Sequence, residues 1–174
     1  TTPREAAEYV RKIAEDKPNL IKLMITGGVL DATVKGEPGV LKMEPDMVRS
    51  ACDEAHRLGF HVAAHVESPQ GMQVALENGV DTVEHGAKPT AEILRLFREQ
   101  GAVHVATLSP ALPYALFDPA ISHVTEMERY NGEIVFHGII ECAKQCLAND
   151  IPVGLGTDTG CPKVTHNARW GRLQ

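Results

Sequence analysis

Two short apolar runs in this chain each carry a histidine at or near their end: "VAAHVES" contains His65 and "DTVEHG" contains His85. A helical segment lies between them, so the imidazoles sit one strand–helix unit, 20 residues, apart. Imidazole binds zinc and similar divalent ions. A lone strand histidine is ordinarily a hydrogen-bonded core or surface residue, but that explanation weakens when the pattern repeats and other ligand types join it. Asp158 closes "VGLGTD", where a carboxylate caps a turn, stays solvated or binds a metal. Lys22 lies inside the apolar run "LIKLMI". A buried ammonium is costly unless paired, and it cannot ligate a metal. Reaction with CO2 would turn its nitrogen into an anionic carbamate whose two oxygens could bridge two cations. An ion pair with a neighbouring carboxylate would also explain it.

These residues need elements to hold them. Strand-like runs cover 20–25, 60–66, 80–85, 102–108 and 151–158, with helical patterns over 1–14, 44–59, 68–79, 90–101 and within 130–150. Pro45 and Pro69 stand at first helical turns, Ser68 and Thr90 at N-caps, and Gly59, Gly79 and Gly101 just past helix ends. Alternating strands and helices predict an α/β fold with parallel strands. Near-continuous apolar strands predict a sheet covered on both faces. Two architectures satisfy this pattern: an open doubly wound sheet, or part of a (β/α)8 barrel. In both, carboxyl ends of strands face the functional site. His65, His85, Asp158 and Lys22 are therefore expected to converge. Residues 109–130 read as an irregular loop following a strand, where functional loops sit.

Composition narrows the partners. A formal net charge of −6 with no basic cluster disfavours nucleic acid and anionic membrane as partners. No run approaches the roughly 20 apolar residues of a membrane span, and 1–14 reads as an amphipathic helix, not a signal peptide. The chain opens without Met, as a processed protein or a segment of a longer one would. Cys52, Cys142, Cys146 and Cys161 include no CxxC pair and read as reduced, packed thiols, which favours the cytoplasm.

The stretches "IKLMITGGV", "AAHVESPQGMQVALENGVDTVEHG", "TLSPALPYALFD" and "IPVGLGTDTGCPKVTH" resemble the amidohydrolase superfamily, and within it the imidazolonepropionase-like and Xaa-Pro dipeptidase-like metallohydrolases. The resemblance runs over nearly the whole chain. It implies a TIM barrel, (β/α)8, with a metal site at its C-terminal mouth. Lys22 matches the carboxylated fourth-strand lysine that bridges two metals, usually zinc. His65 and His85 match the fifth- and sixth-strand ligands of the second metal. Asp158 matches the eighth-strand aspartate that binds the first metal and moves protons. The superfamily's first-strand His-x-His pair occurs nowhere in the 174 residues. The chain therefore reads as a partial barrel domain over 1–174, matching strands four to eight, without strands one to three or a flanking β-domain.

The activity this implies is hydrolysis of a C–N amide bond in a dipeptide, N-acyl amino acid or cyclic amide. Two zinc ions and a carbamate on Lys22 would serve as cofactors, and Asp158 would shuttle the proton. Tyr114, in the loop after the strand at 102–108, and His166, after "TDTGCPKVT", are candidate substrate contacts. His104 falls mid-strand and reads as a core residue; His137 and Cys142 read as helix packing. Half a barrel exposes strand edges and an apolar interior, so an oligomer or association with the missing barrel segment is expected. The competing reading is a non-catalytic fragment. A nucleotide-binding sheet is disfavoured, since "ITGGV" is no phosphate-binding glycine loop.

Overall fold

The computed structural model describes residues 2–161 and 164. A capping box opens α1 (Pro3–Ala14): Thr2 Oγ1 accepts from the Glu5 N–H at 3.3 Å and the Glu5 carboxylate accepts from the Thr2 N–H at 2.7 Å. The chain continues through β1 (Leu20–Met24), α2 (Pro45–Arg57), β2 (His61–Val66), α3 (Pro69–Glu77), β3 (Thr82–His85), α4 (Ala91–Gln100) and β4 (Val103–Ala106). Ser68 caps α3 through the Gly71 N–H and Thr90 caps α4 through the Ile93 N–H, while Gly101 ends α4. Two four-residue helices follow, α5 (Leu112–Ala115) and α6 (Pro119–Ser122), then α7 (Glu126–Ala148) and β5 (Val153–Leu155).

Residues 109–130, expected to be irregular, are mostly wound into short helices. The last helix also starts earlier than its apolar pattern indicates. A capping box of Thr125 with Glu128 nucleates it ahead of Tyr130.

All five strands are parallel and pair in chain order, β1-β2-β3-β4-β5. A doubly wound sheet reverses strand order at a switch point. An unbroken sequential order is the arc of a barrel, so the architecture is a partial (β/α)8 barrel. Ile21 and Leu23 of β1, Val62, Ala64 and Val66 of β2, and Val83 of β3 face outward. They pack with Val48 and Ala51 of α2, Met72 and Leu76 of α3, and Ile93 and Phe97 of α4. The opposite, inward face of β1 carries Leu20, Lys22 and Met24. Leu20 and Met24 are 45% and 55% exposed, so this inner face is open. A second apolar cluster joins Ala106, Ala111 and Tyr114 to Val135 and Ile139 of α7, beside the carboxyl ends of the strands.

Cys52, Cys142 and Cys146 are buried free thiols and Cys161 is half-buried. No helix among the described residues is long and apolar enough to cross a membrane.

Glu54 ties α1 to α2. Its carboxylate accepts from Arg57 at 2.6 and 3.0 Å, and Arg11 of α1 lies 3.2 Å away. The Arg57 hydrogen bonds, with help from Arg11, hold its pKa down to about 2. A carboxyl whose folded pKa is depressed stabilises the fold fully above its unfolded value, near 4.5, and loses that contribution as pH falls through about 2. Glu54→Gln is therefore expected to melt below the parent chain at neutral pH. The gap should close between pH 4.5 and 2, as thermal melts over that window would read.

Candidate active site at the barrel mouth

Register explains how the site assembles. Met24 pairs with His65, His65 with Glu84, and Val66 with His85. Side chains alternate along a strand, so Lys22, Ala63, His65 and Glu84 share the inner face. Simple alternation would send His85 outward with Val66. Its backbone instead adopts the left-handed region, φ +68°, a conformation costing about 1–2 kcal/mol for a non-glycine residue and typical of functional sites. The ring consequently meets His65 edge-on, with centroids 4.5 Å apart.

Each ring has one nitrogen engaged. His65 Nε2 donates to the Gly27 carbonyl at 3.3 Å, which leaves Nδ1 free to accept. His85 Nδ1 bonds the Thr107 hydroxyl at 2.5 Å, leaving Nε2. Such outer contacts fix tautomer and orientation in metal-binding histidines. Burial lowers the pKa of both, and His85 falls to about 3, helped by the neighbouring His65 and Lys22. At neutral pH both rings are therefore uncharged, the form that ligates metal.

His104 is fully buried, as its mid-strand position implies, but it also has a positioning task. Its Nε2 donates to the His85 backbone carbonyl at 2.8 Å, just where the chain turns left-handed. Gly86, at φ +85°, makes room for this contact: a Cβ there would lie 2.9 Å from His104 Nε2. His104 also groups with Cys142 and Cys146, with candidate donor atoms within 4.8 Å of one another. All three are fully buried, and the contact with the Cys146 thiol, followed by burial, raises the pKa of Cys142.

The Lys22 ammonium lies 3.8 Å from the Glu84 carboxylate, so the neighbouring carboxylate allowed for in the sequence is present. Desolvation lowers its pKa, against the opposing pull of Glu84 and Asp158. Asp158 follows β5 in a left-handed conformation, φ +49°, and is exposed. Its charge reaches Lys22, His65 and Glu67. Tyr114 sits on α5, buried, where Gly132 of α7 admits it: a Cβ on Gly132 would fall 2.2 Å from the Tyr114 Cβ. His166 lies outside the described residues.

A cavity of about 350 Å³ is lined by Met24, His65, Glu67, His85, Tyr114 and Asp158, among others. A larger one, about 770 Å³, opens between the 36–41 loop and α7; it reaches Glu67 but neither His65 nor His85. The candidate ligands line the smaller cavity. Lys22 flanks that cavity through Glu84 and Asp158 and does not line it among the described residues.

Two residues of the candidate site escape sequence reasoning. Thr107 has no motif and is found only through its bond to His85. Glu67 lies two residues beyond His65, hence on the same face, a spacing that could have marked it. Its carboxylate accepts from the Val29 N–H at 3.1 Å, and burial raises its pKa to about 8.

Two imidazoles and a carboxyl group, those of His65, His85 and Glu67, have candidate ligand atoms within 4.8 Å of one another, and these donor types suit a divalent cation once the Glu67 proton is displaced.

Comparison with known proteins agrees with the fold. The amidohydrolase family model matches residues 2–171. An ochratoxinase from Aspergillus niger is 31% identical over 105 residues, covering 60% of this chain and 22% of that protein. Among solved structures, a Bifidobacterium longum protein assigned as a prolidase superposes with a TM-score of 0.86 at 34% identity, covering 94% of this chain and 40% of that one. An Xaa-Pro dipeptidase with methionine bound in its active site gives a TM-score of 0.79 at 27% identity, with the same coverage. The chain thus spans about two-fifths of these structural relatives and about a fifth of the ochratoxinase.

Proposed function

The chain belongs to the amidohydrolase family, and from that premise we propose that it forms the metal-holding half of a hydrolase that cleaves C–N amide bonds. The substrate class is a dipeptide or another small amide. The observation carrying this reading is the pair of neutral imidazoles, His65 and His85, meeting 4.5 Å apart at adjacent strand ends within reach of Asp158. The similarity to an Xaa-Pro dipeptidase and to an ochratoxinase supports it.

His65 and His85 would hold one zinc-like ion, Asp158 a second, and Lys22, once carboxylated, would bridge them. When bound, such ions activate water and polarise the scissile carbonyl. The protein's own residues do the rest. Thr107 and the His104 contact keep His85 in one orientation. Asp158 accepts the proton of the attacking water and returns it to the departing amine nitrogen, base first and acid second. Tyr114, walled by Gly132, borders the space left for substrate. The open inner face of β1 would be covered by the remaining barrel strands or by a second copy.

The test is elemental analysis of protein purified without chelator, run beside hydrolysis of Xaa-Pro dipeptides, on a parent polypeptide carrying all eight barrel strands and on its His85→Ala variant. The expected result is bound metal and turnover in the parent, with both lost in the variant. Metal content unmoved by the substitution would overturn the reading.

A further inference from the structure

We propose that His104, Cys142 and Cys146 form a second metal site, in the core and separate from the barrel mouth, that takes one thiophilic divalent cation of the zinc class and pins α7 to β4.

Three elements bring soft donors together. A ring nitrogen of His104 on β4 and the sulfurs of Cys142 and Cys146 on α7 lie within 4.8 Å of one another. The two thiol sulfurs stand 4.0 Å apart, and the Met72 thioether of α3 stands 4.0 Å from Cys142 Sγ. Metal–thiolate bonds of about 2.3 Å, at tetrahedral to trigonal angles, hold two sulfurs about 3.8–4.0 Å apart. The thiols are thus already at the spacing that a shared ion sets. Packing brings them there. Gly138, one turn before Cys142, lets α7 close on the chain after β3: a Cβ on it would lie 3.2 Å from Ala87 Cα.

His104 supplies an independent argument. Its Nε2 donates to the His85 carbonyl, so the lone pair sits on Nδ1. That Nδ1 is buried and has no hydrogen-bond partner among the described residues. A buried acceptor without a donor is costly. One ring nitrogen donating to a backbone carbonyl, with the other left for a cation, is the arrangement that metal-binding histidines adopt. Charge agrees. His104, Cys142, Cys146 and Met72 are all fully buried, and two thiolates with a neutral imidazole balance a divalent ion, so no net charge is placed in the core. The contact with Cys142 lowers the pKa of Cys146, and an arriving cation displaces the protons that remain. Thiolate and thioether sulfur favour a soft ion.

The test is Co²⁺ binding to a metal-stripped polypeptide carrying all eight barrel strands. It is read by thiolate-to-cobalt charge-transfer absorption, which imidazole and carboxylate ligands do not produce. The expected band saturates at one equivalent and is lost in Cys142→Ala and in Cys146→Ala. It persists in His65→Ala, which impairs the mouth site, and in Cys161→Ala, which removes the thiol lining the mouth cavity. No band in the parent, or one that outlives Cys142→Ala, overturns the inference and leaves the proposed function standing. A band lost with His65 or Cys161 belongs to the mouth and overturns it equally. Should the core variants fail to fold, alkylation of the parent decides, with Cys52, a buried thiol of α2, as internal reference. Cd²⁺ should slow modification of Cys142 and Cys146 well beyond that of Cys52; equal slowing of all three overturns the inference.

Discussion

Replacing Asp158 with asparagine is expected to lower kcat by about 10²–10⁴-fold, the usual contribution of a positioned general acid–base group, while metal bound through His65 and His85 is kept. Asparagine matches the size of aspartate but can neither take a proton from water nor return one to an amine. Asp158 is suited to the task by its place. It follows the last strand, β5, and its charge is felt by Lys22 and His65 across the mouth. It is exposed, so a proton can be exchanged with solvent, and it accepts from the Cys161 thiol at 3.6 Å. The left-handed backbone at φ +49° is tolerated by asparagine as readily as by aspartate, so the substitution does not disturb the turn. The measurement is kcat and its pH profile on a dipeptide, in a polypeptide carrying all eight barrel strands. Loss of rate with metal content kept assigns the proton shuttle to Asp158. An unchanged rate removes it from the mechanism.

The largest effect on stability is expected at Phe97. Its ring is fully buried in the layer between sheet and helices, and it is among the largest side chains there. Truncation to alanine removes apolar contact and leaves a cavity that a close-packed interior fills only in part, a loss of about 3–5 kcal/mol. Urea unfolding should show the midpoint falling with an unchanged slope, since the surface exposed on unfolding is nearly the same. The position matters for the site as well. The Phe97 carbonyl accepts from both Gly101 and Ala102 where α4 ends and the chain enters β4. That strand carries His104 and leads to Thr107, the two residues that orient His85. A loss far smaller than this range would mean that the outer layer, and not only the mouth, relaxes readily.

Local chemistry in the sequence was sufficient for much of this protein. Ser68, Thr90 and Gly101 mark helix ends because capping is satisfied within a few residues. The strands are legible because burial on both faces writes itself as continuous apolar runs, and the two histidines stand out because they recur at matched strand ends. The order Lys22, His65, His85, Asp158 carried the resemblance to amidohydrolases, which the match over residues 2–171 bears out. Tertiary structure alone decided the remainder, because each deciding contact joins residues distant in sequence. Parallel pairing in chain order chose the barrel arc over a doubly wound sheet. Strand register set Lys22 beside Glu84, a pairing that spans 62 residues and leaves no local trace. The left-handed turn at His85, held by His104 from the next strand, reversed the direction that alternation assigns to that ring. Glu67 reads in the sequence as one more acid before a helix cap; only folding sets its carboxyl beside the two imidazoles, with candidate ligand atoms within 4.8 Å of one another.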